Sequence, residues 1–562
     1  MNIKKYIPLL ALACCLTACD DKLDIVPKGQ STLETVDDLA LLLNAEVSLG
    51  SPNDDLGILC NENIGSGDAV ALVLGQTNTT AYANLAYDES VDRATLTLSD
   101  DRYNSAYKAI NAMNTIIIKA PEAKGDDAVR QQIIAEAHVR RAYYHWLLVS
   151  IYAKQYDSAT AATDGGIAYV ENIDPTATNQ KLTLQETYDR ILADCSDEYI
   201  NALPAEGSSV LRAGQAFGNA VRAKVLMQMK RYSDALPYAM KAISLHPTLE
   251  DRSSIVNAGD WVLPRTAASN ILYMGAGVIA PFMECLSLET AGRFEAGDYV
   301  LYHAYQFGMK PGTGDDDGDD DDYDDGDDDD MGGGLGDDDD YDDDWAKAHD
   351  NILAKAAATA KAGRAYLASS SASAAAKAVR CQARRLTKPA STRRAPALDD
   401  PDLDLSNKAW NSMFGMMYTG VPGSLMYFSM SSWLNCWGIT TDRMYYTAAE
   451  CYIRTGQVQK GLDLINTVRQ LRIDTDHYAP LTATTEAEAM AVLQDCKWIE
   501  CIDTYENFFD TKRWNSEPAY ARTITRNLGD LGTFSIAPTS KLWVLPFPLN
   551  VTRINSSLTQ NY

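Results

Sequence analysis

Residues 103–117 read YNSAYKAINAMNTII and residues 133–152 read IIAEAHVRRAYYHWLLVSIY. In the first, Ala106, Tyr107, Ile110, Met113, Asn114 and Ile117 recur at intervals of three and four, which places them along one face of an α-helix. In the second, Ile133, Ala137, Tyr144, Leu147, Leu148 and Ile151 repeat the pattern, and small Ala135, Ala137 and Ala142 let a neighbouring helix approach closely. The spacing predicts a helix pair.

Outward from this pair the same period returns. Leu184, Tyr188, Ile191, Leu192 and Cys195 predict a third helix, ended by Pro204. Ala216, Ala220, Ala223 and Met227 lead through Arg231-Tyr232 into Ala235, Ala239, Ala242 and Ile243, closing at Pro247 with the spacing of a tetratricopeptide unit. Near the C-terminus Ala448, Ala449, Cys451, Tyr452 and Ile453 lie on one helix, and Leu462, Ile465, Val468 and Leu471 on another beyond Thr455-Gly456-Gln457. Residues 48–80, 247–300 and 405–440 have poor periodicity and are rich in Gly, Pro, Asn and Ser. In a helical array such segments form loops on one face, where binding usually resides. The fold class read from these patterns is mainly α: a tetratricopeptide-like helical-repeat scaffold with a loop-rich part.

At 562 residues the chain is too long for one compact core of ~150 residues, which leaves several domains or one extended helical array. Hydrophobic residues make up 46%, which excludes a wholly disordered chain and a polytopic membrane protein. The net charge of −28 is mostly local: twenty aspartates lie between Asp315 and Asp344, and without them the balance is −8. The Asp/Gly composition between Gly312 and Trp345 offers no apolar face and predicts disorder. Its glycines do not fit an EF-hand loop, since Tyr323 occupies the third position counted back from Gly326. Residues 346–396 follow with eleven Lys or Arg against only Asp350, so neutralisation within the segment is favoured over binding to nucleic acid.

Lys4 and Lys5 precede an apolar run from Tyr6 to Ala18, the pattern of an export signal. Leu16-Thr17-Ala18-Cys19 resembles a bacterial lipoprotein box, which predicts removal of residues 1–18 and acylation of Cys19. Asp20-Asp21 resembles a surface-export signal, giving an outer-membrane, lipid-anchored and surface-exposed address. No other apolar stretch approaches the ~20 residues a spanning helix needs. The remaining cysteines are scattered singly and read as buried small hydrophobes.

Motifs for catalysis are scarce. Gly275-Ala276-Gly277-Val278-Ile279-Ala280 fits a dinucleotide fingerprint, but Pro281 falls where the phosphate-binding helix should run. The six histidines show no metal-ligand spacing, and His138 and His145, two turns apart, read as packed or exposed. No nucleophile elbow or P-loop is present, and no carboxylate pair stands out. No cofactor, metal or catalytic residue is expected.

Several stretches together resemble the SusD/RagB family of outer-membrane nutrient-binding lipoproteins. Asp20 to Pro27 is similar to its C-x-x-x-L-D-x-x-P opening, and Thr35 to Asn44 to the helix that follows. Ile110, Asn114, Glu136, Ala137, Arg141, Ala142, Tyr143 and Tyr144 match its first helix pair. Ala449 to Arg454, Leu464 to Arg469, Glu506 to Trp514, Leu542 to Pro546 and Gln560-Asn561 match motifs towards its end. Asn507 replaces a usual glycine, Thr511 a leucine and Val544 a proline. The resemblance is lost over about 309–404, which reads as an insertion between an N-terminal part, 19–308, and a C-terminal part, 405–562.

The resemblance implies four tetratricopeptide-like units and a role, without enzymatic activity, as the surface partner of a SusC-like TonB-dependent transporter. Its ligand would be a glycan or, in some members, a peptide. Such a surface stacks aromatic rings on sugar faces and uses amides for hydroxyls. By place and type the candidates are Tyr82, Asn84, Tyr87, Trp261 and Tyr273. The alternative is a helical-repeat lipoprotein that scaffolds other envelope proteins without binding small ligands.

Overall fold

Both opening stripes are helices, and each begins at an aspartate cap. The carboxylate of Asp100 accepts from the backbone N–H of Arg102 at 2.9 Å and starts α1, Asp101–Lys119. Asp126 accepts from Ala128 and Val129 at 2.8 and 3.0 Å and starts α2, Asp127–Tyr152, six residues ahead of the apolar stripe. The buried surface of α2 is wider than that stripe. Every residue from Val139 to Tyr152 is buried, so α2 is the central helix of the molecule. The computed structural model describes residues 33–64, 67–253, 265, 267–275, 282–299, 425–429 and 435–562. The leader with Cys19, Trp261, residues 276–280 of the glycine motif, and the acidic and basic stretches lie outside them.

The array continues through α3 (Leu184–Asp194), α4 (Gln215–Gln228), α5 (Tyr232–Leu245), α6 (Thr441–Arg454), α7 (Val458–Arg469), α8 (Glu486–Glu500) and α9 (Tyr505–Asn515). Helix α4 packs on α5, α5 on α6, α6 on α7 and on α8. The α5–α6 contact joins helices separated by almost two hundred residues, with Leu226, Met227, Tyr232 and Ala235 meeting Cys451 in one apolar cluster. The stack is therefore continuous in space where the chain makes a long excursion. His246 and Thr441 clasp its ends: Nδ1 lies 2.8 Å from the threonine hydroxyl, which donates to the His246 carbonyl at 2.9 Å.

Helices α6 and α7 meet through Ala449, Ile453, Leu462 and Ile465. Gly461 permits that approach, because a Cβ there would come within 2.5 Å of Ile453 Cγ1 and 2.8 Å of the Ala449 carbonyl oxygen. All six cysteines among the described residues that are free are buried, as expected of small apolar side chains.

Strands are short and occur as four antiparallel pairs: β1 (Gly165–Ala168) with β2 (Lys181–Thr183), β3 (Asn270–Leu272) with β6 (Ile439–Thr440), β4 (Phe282–Leu286) with β5 (Leu425–Ser429), and β7 (Ile524–Asn527) with β8 (Thr533–Ile536). The sequence reading treated 247–300 and 405–440 as loops. Within them β3 pairs with β6 and β4 with β5, so two stretches that are loop-like in sequence complete each other's hydrogen bonds.

The C-terminal residues fold back onto α2. Asn561 Nδ2 donates to the Tyr152 and Gly166 carbonyls at 2.7 and 2.9 Å, and the Gln560 side chain exchanges hydrogen bonds with the backbone of Phe547. Val544, where proline is usual in the resembling motif, donates its N–H to the Lys541 carbonyl, a bond proline could not make.

Candidate functional site

Three of the sequence candidates come together. Thr79 caps the short helix Thr80–Leu85 by accepting from the backbone N–H of Tyr82 at 3.1 Å, and Asn84 and Tyr87 lie on and just beyond that helix. Tyr82 is half-buried. Asn84 and Tyr87 are 7% and 6% exposed, and their polar atoms face the protein.

The Asn84 side-chain oxygen accepts from Arg93 at 3.3 Å, and the Tyr87 hydroxyl faces Arg526 on β7. The Arg526 guanidinium lies 4.3 Å from the centre of the Tyr87 ring and donates to the Tyr87 hydroxyl at 2.8 Å. It also donates to Asn61 Oδ1 at 3.1 Å and to the carbonyls of Ile58, Asn84 and Leu85. One buried arginine thus fixes the loop 58–61 against the helix that carries Tyr82. Burial lowers its pKa and pushes the Tyr87 phenol up. Composition did not single out Arg526. The signal was its place on β7, where inward Ile524 and Arg526 alternate with outward Thr525 and Asn527.

A second charged group lies beside the loop. Asn61, in the left-handed region at φ 62°, donates through Nδ2 to Glu289 at 3.2 Å. Glu289 is paired with Arg293 at 2.8 Å and with Arg522. Burial pushes the Glu289 carboxyl up, but the two arginines outweigh it and hold the group down at about 2. Arg293 in turn lies 4.4 Å over the Trp498 ring. The next loop residue, Glu62, is fully buried and forms no ion pair among the described residues. Its carboxylate accepts from the backbone N–H of Asp503 at 2.9 Å and from Asn507 Nδ2 at 2.6 Å. Burial first, and then the charge of Asp503, raise its pKa to about 8. Asn507 is the residue that stands where glycine is usual, and its amide also donates to the Trp498 carbonyl at 2.9 Å.

The other candidates fall elsewhere. Tyr273 follows β3 and is 4% exposed; its N–H donates to the Val210 carbonyl at 2.8 Å, and Arg265 lies 6.0 Å over its ring. Its contacts are with a different part of the chain from those of Tyr82. Trp261 and the lipidation candidate Cys19 lie outside the described residues. His138 and His145 both pack: His138 stacks on Tyr199 and hydrogen-bonds Asp194 at 2.7 Å, while His145 stacks on Tyr169 and is held down at about 3 by burial and by Arg141. Among the described residues no cluster of His, Cys, Asp and Glu is arranged to hold a metal ion, and no helix is long and apolar enough to cross a membrane.

Residues 61–225 match the family SusD-like 3, described as starch-binding and associating with the outer membrane. The match begins at Asn61 and takes in Tyr82, Asn84, Tyr87, the helices α1 to α3 and α4 as far as Val225. The fold is similar to that of a SusD superfamily protein from Bacteroides thetaiotaomicron, at 14% identity over 94% of this chain and 100% of that one, with a TM-score of 0.56. A SusD superfamily protein from Bacteroides fragilis gives 13%, 94%, 100% and 0.56. A SusD-like carbohydrate-binding protein from Bacteroides vulgatus gives 10%, 94%, 98% and 0.53. No functionally curated protein sequence matches the chain. Residues 61–225 thus carry the sequence pattern of that family, and the fold is similar to that of SusD superfamily proteins.

Proposed function

We propose that the protein is a cell-surface lipoprotein, held in the outer membrane through acylated Cys19, that binds oligosaccharide and delivers it to a SusC-like TonB-dependent transporter. The observation that carries this reading is the match of residues 61–225 to a family described as starch-binding and associating with the outer membrane. Tyr82, half-buried on a helix that Arg526 braces from below, is in this reading the aromatic residue on which a sugar ring stacks. Asn84 and Tyr87 serve in this reading as the base of that platform, because the Asn84 side-chain oxygen is engaged by Arg93 and the Tyr87 hydroxyl by Arg526. Trp261 and Tyr273 stand as candidates for a second contact in the excursion between α5 and α6. Binding without turnover is the role assigned; the chain presents its ligand and leaves the chemistry to other proteins.

The test is calorimetric titration of the chain lacking residues 1–18 with a panel of oligosaccharides. Binding of at least one is expected, and Tyr82→Ala should weaken it about tenfold, roughly 1.4 kcal/mol. A chain that binds no oligosaccharide yet retains envelope proteins in a pull-down would support the scaffold alternative instead.

A further inference from the structure

Where α2, α4, α6, α8 and α9 converge they leave a cavity of about 20 Å³, enough for one water or an ion not much larger. Its wall includes Trp146 from α2, Lys224 from α4, Thr447 from α6, Lys497 from α8, and Glu506 and Asp510 from α9. All six are buried. Interior cavities that stay empty are lined by apolar side chains, and this wall is charged.

The charges around it do not balance. Glu506 is the carboxylate partner of three cations: Lys224 at 2.9 Å, Arg443 at 3.5 Å and Lys497 at 3.6 Å. Asp510 takes Lys497 and, at 2.9 Å, Arg513, which pairs in turn with Glu450. Among the described residues this connected set holds four cations, Lys224, Arg443, Lys497 and Arg513, against the three carboxylates Glu450, Glu506 and Asp510. One positive charge is left over in dry protein, where an uncompensated ion is costly.

The shortfall falls on Lys224. Burial works against both lysines; Asp510 and Glu506 outweigh it at Lys497 and raise that ammonium, while at Lys224 the one shared carboxylate does not, and its pKa stays lowered. Donors are in surplus too. An ammonium carries three N–H groups, and among the described residues Lys224 is paired with Glu506 alone. The indole N–H of Trp146 has no acceptor among the described residues, although Trp146 is only 3% exposed. A water accepts from two of these donors and leaves the extra charge in place. A halide accepts from all of them and cancels it.

We propose that this cavity is a site for one small monovalent anion, of the size of chloride, held by Lys224, Lys497 and the Trp146 N–H. The ion ties α2 and α4, which precede the long excursion of the chain, to α6, α8 and α9, which follow it. The site stands apart from any glycan the surface holds.

Urea denaturation of the full chain tests it, with sodium gluconate replaced stepwise by sodium chloride at constant ionic strength. Between about 1 mM and about 1 M chloride the folded-to-unfolded ratio should rise, approaching about tenfold per tenfold chloride once the site fills. Lys224→Met leaves three cations to three carboxylates and should flatten the rise. Trp146→Phe keeps the surplus charge but removes one donor, and should move the onset to about tenfold higher chloride, which keeps the site falsifiable if the methionine variant fails to fold. In crystals grown with bromide in place of chloride, an anomalous peak should lie in the cavity. A ratio unmoved by chloride in the unsubstituted chain, a rise that both variants leave unchanged, or a bromide map with no peak in the cavity would each overturn the site.

Discussion

Between α6 and α7 the joint consists of Ala449, Ile453, Leu462 and Ile465, closed over Gly461. Between loop 58–64 and its surroundings it consists of Arg526, Glu62, Asn61 and Asn507, bonded across 441 to 465 residues of sequence. The first joint is apolar, local and periodic, and any residue of similar shape preserves it. The second is polar and depends on particular atoms meeting, so single substitutions there leave buried groups without partners. The stack holds itself together by area, and the loop-rich side is held to the stack by directed bonds.

The largest effect should come where a directed bond sits inside the stack. Arg513 and Glu450 are fully buried and form a forked pair at 2.7 and 2.8 Å, with Trp514 Nε1 donating to the same glutamate at 3.0 Å. Glu450→Ala removes the forked partner and leaves the buried arginine with Asp510 at 2.9 Å, and should cost about 3 kcal/mol, read as a lower denaturation midpoint for the whole chain. A cost below about 1 kcal/mol would break the distinction, showing the pair to be replaceable like the apolar joint.

Arg526→Met should cost less overall and show it differently. It removes the donor to the Leu85 carbonyl and to Asn61 Oδ1, about 1–3 kcal/mol for each group that stays dry, while the Ile58 carbonyl keeps the Asn61 N–H at 3.1 Å. Exchange protection should fall over residues 58–64 and 84–87 while α6 and α7 keep theirs. An equal loss of protection throughout would show that the loop-rich side and the stack unfold as one unit.

The smallest effect is the acid response of Glu289. Its pKa is depressed in the folded chain, so its contribution is complete above the unfolded value near 4.5 and disappears as pH falls towards about 2. Discounted for the exposure of Arg522, this amounts to about 1–2 kcal/mol. Chemical denaturation at pH 7 and pH 3 should show that part of the acid sensitivity shrink in Arg293→Gln, with Arg522 retaining the rest.

The same contrast explains what could be read in advance. Helices α1 to α9 follow from apolar residues three and four apart, because the neighbours that bury them lie one turn or one helix away. Strands β3 and β6 escaped notice because each is two or three residues long and finds its partner about 168 residues off, where no local pattern points. Tyr82, Asn84 and Tyr87 were chosen by type and place, and type does not distinguish a ring facing solvent from one stacked under a guanidinium. The partner that decides between those fates for Tyr87 is Arg526, 439 positions later. Glu62 looked like any acid in a polar loop, since its burial is created by Ser287 and Asp503 arriving from elsewhere.

The clasp between His246 and Thr441 carries one more meaning. Since α5 meets α6 directly, the stretch between them is closed at its base whatever its length, and doubling a loop whose ends are already joined costs only about 0.6 kcal/mol in closure entropy. That stretch is free in length but not in content: residues can be added between His246 and Thr441 at little entropic cost, while Ser287, Glu289 and Arg293 within it stay bonded to the loop 58–64 and packed on Trp498, so variety in what the surface holds comes from insertion and not from exchange.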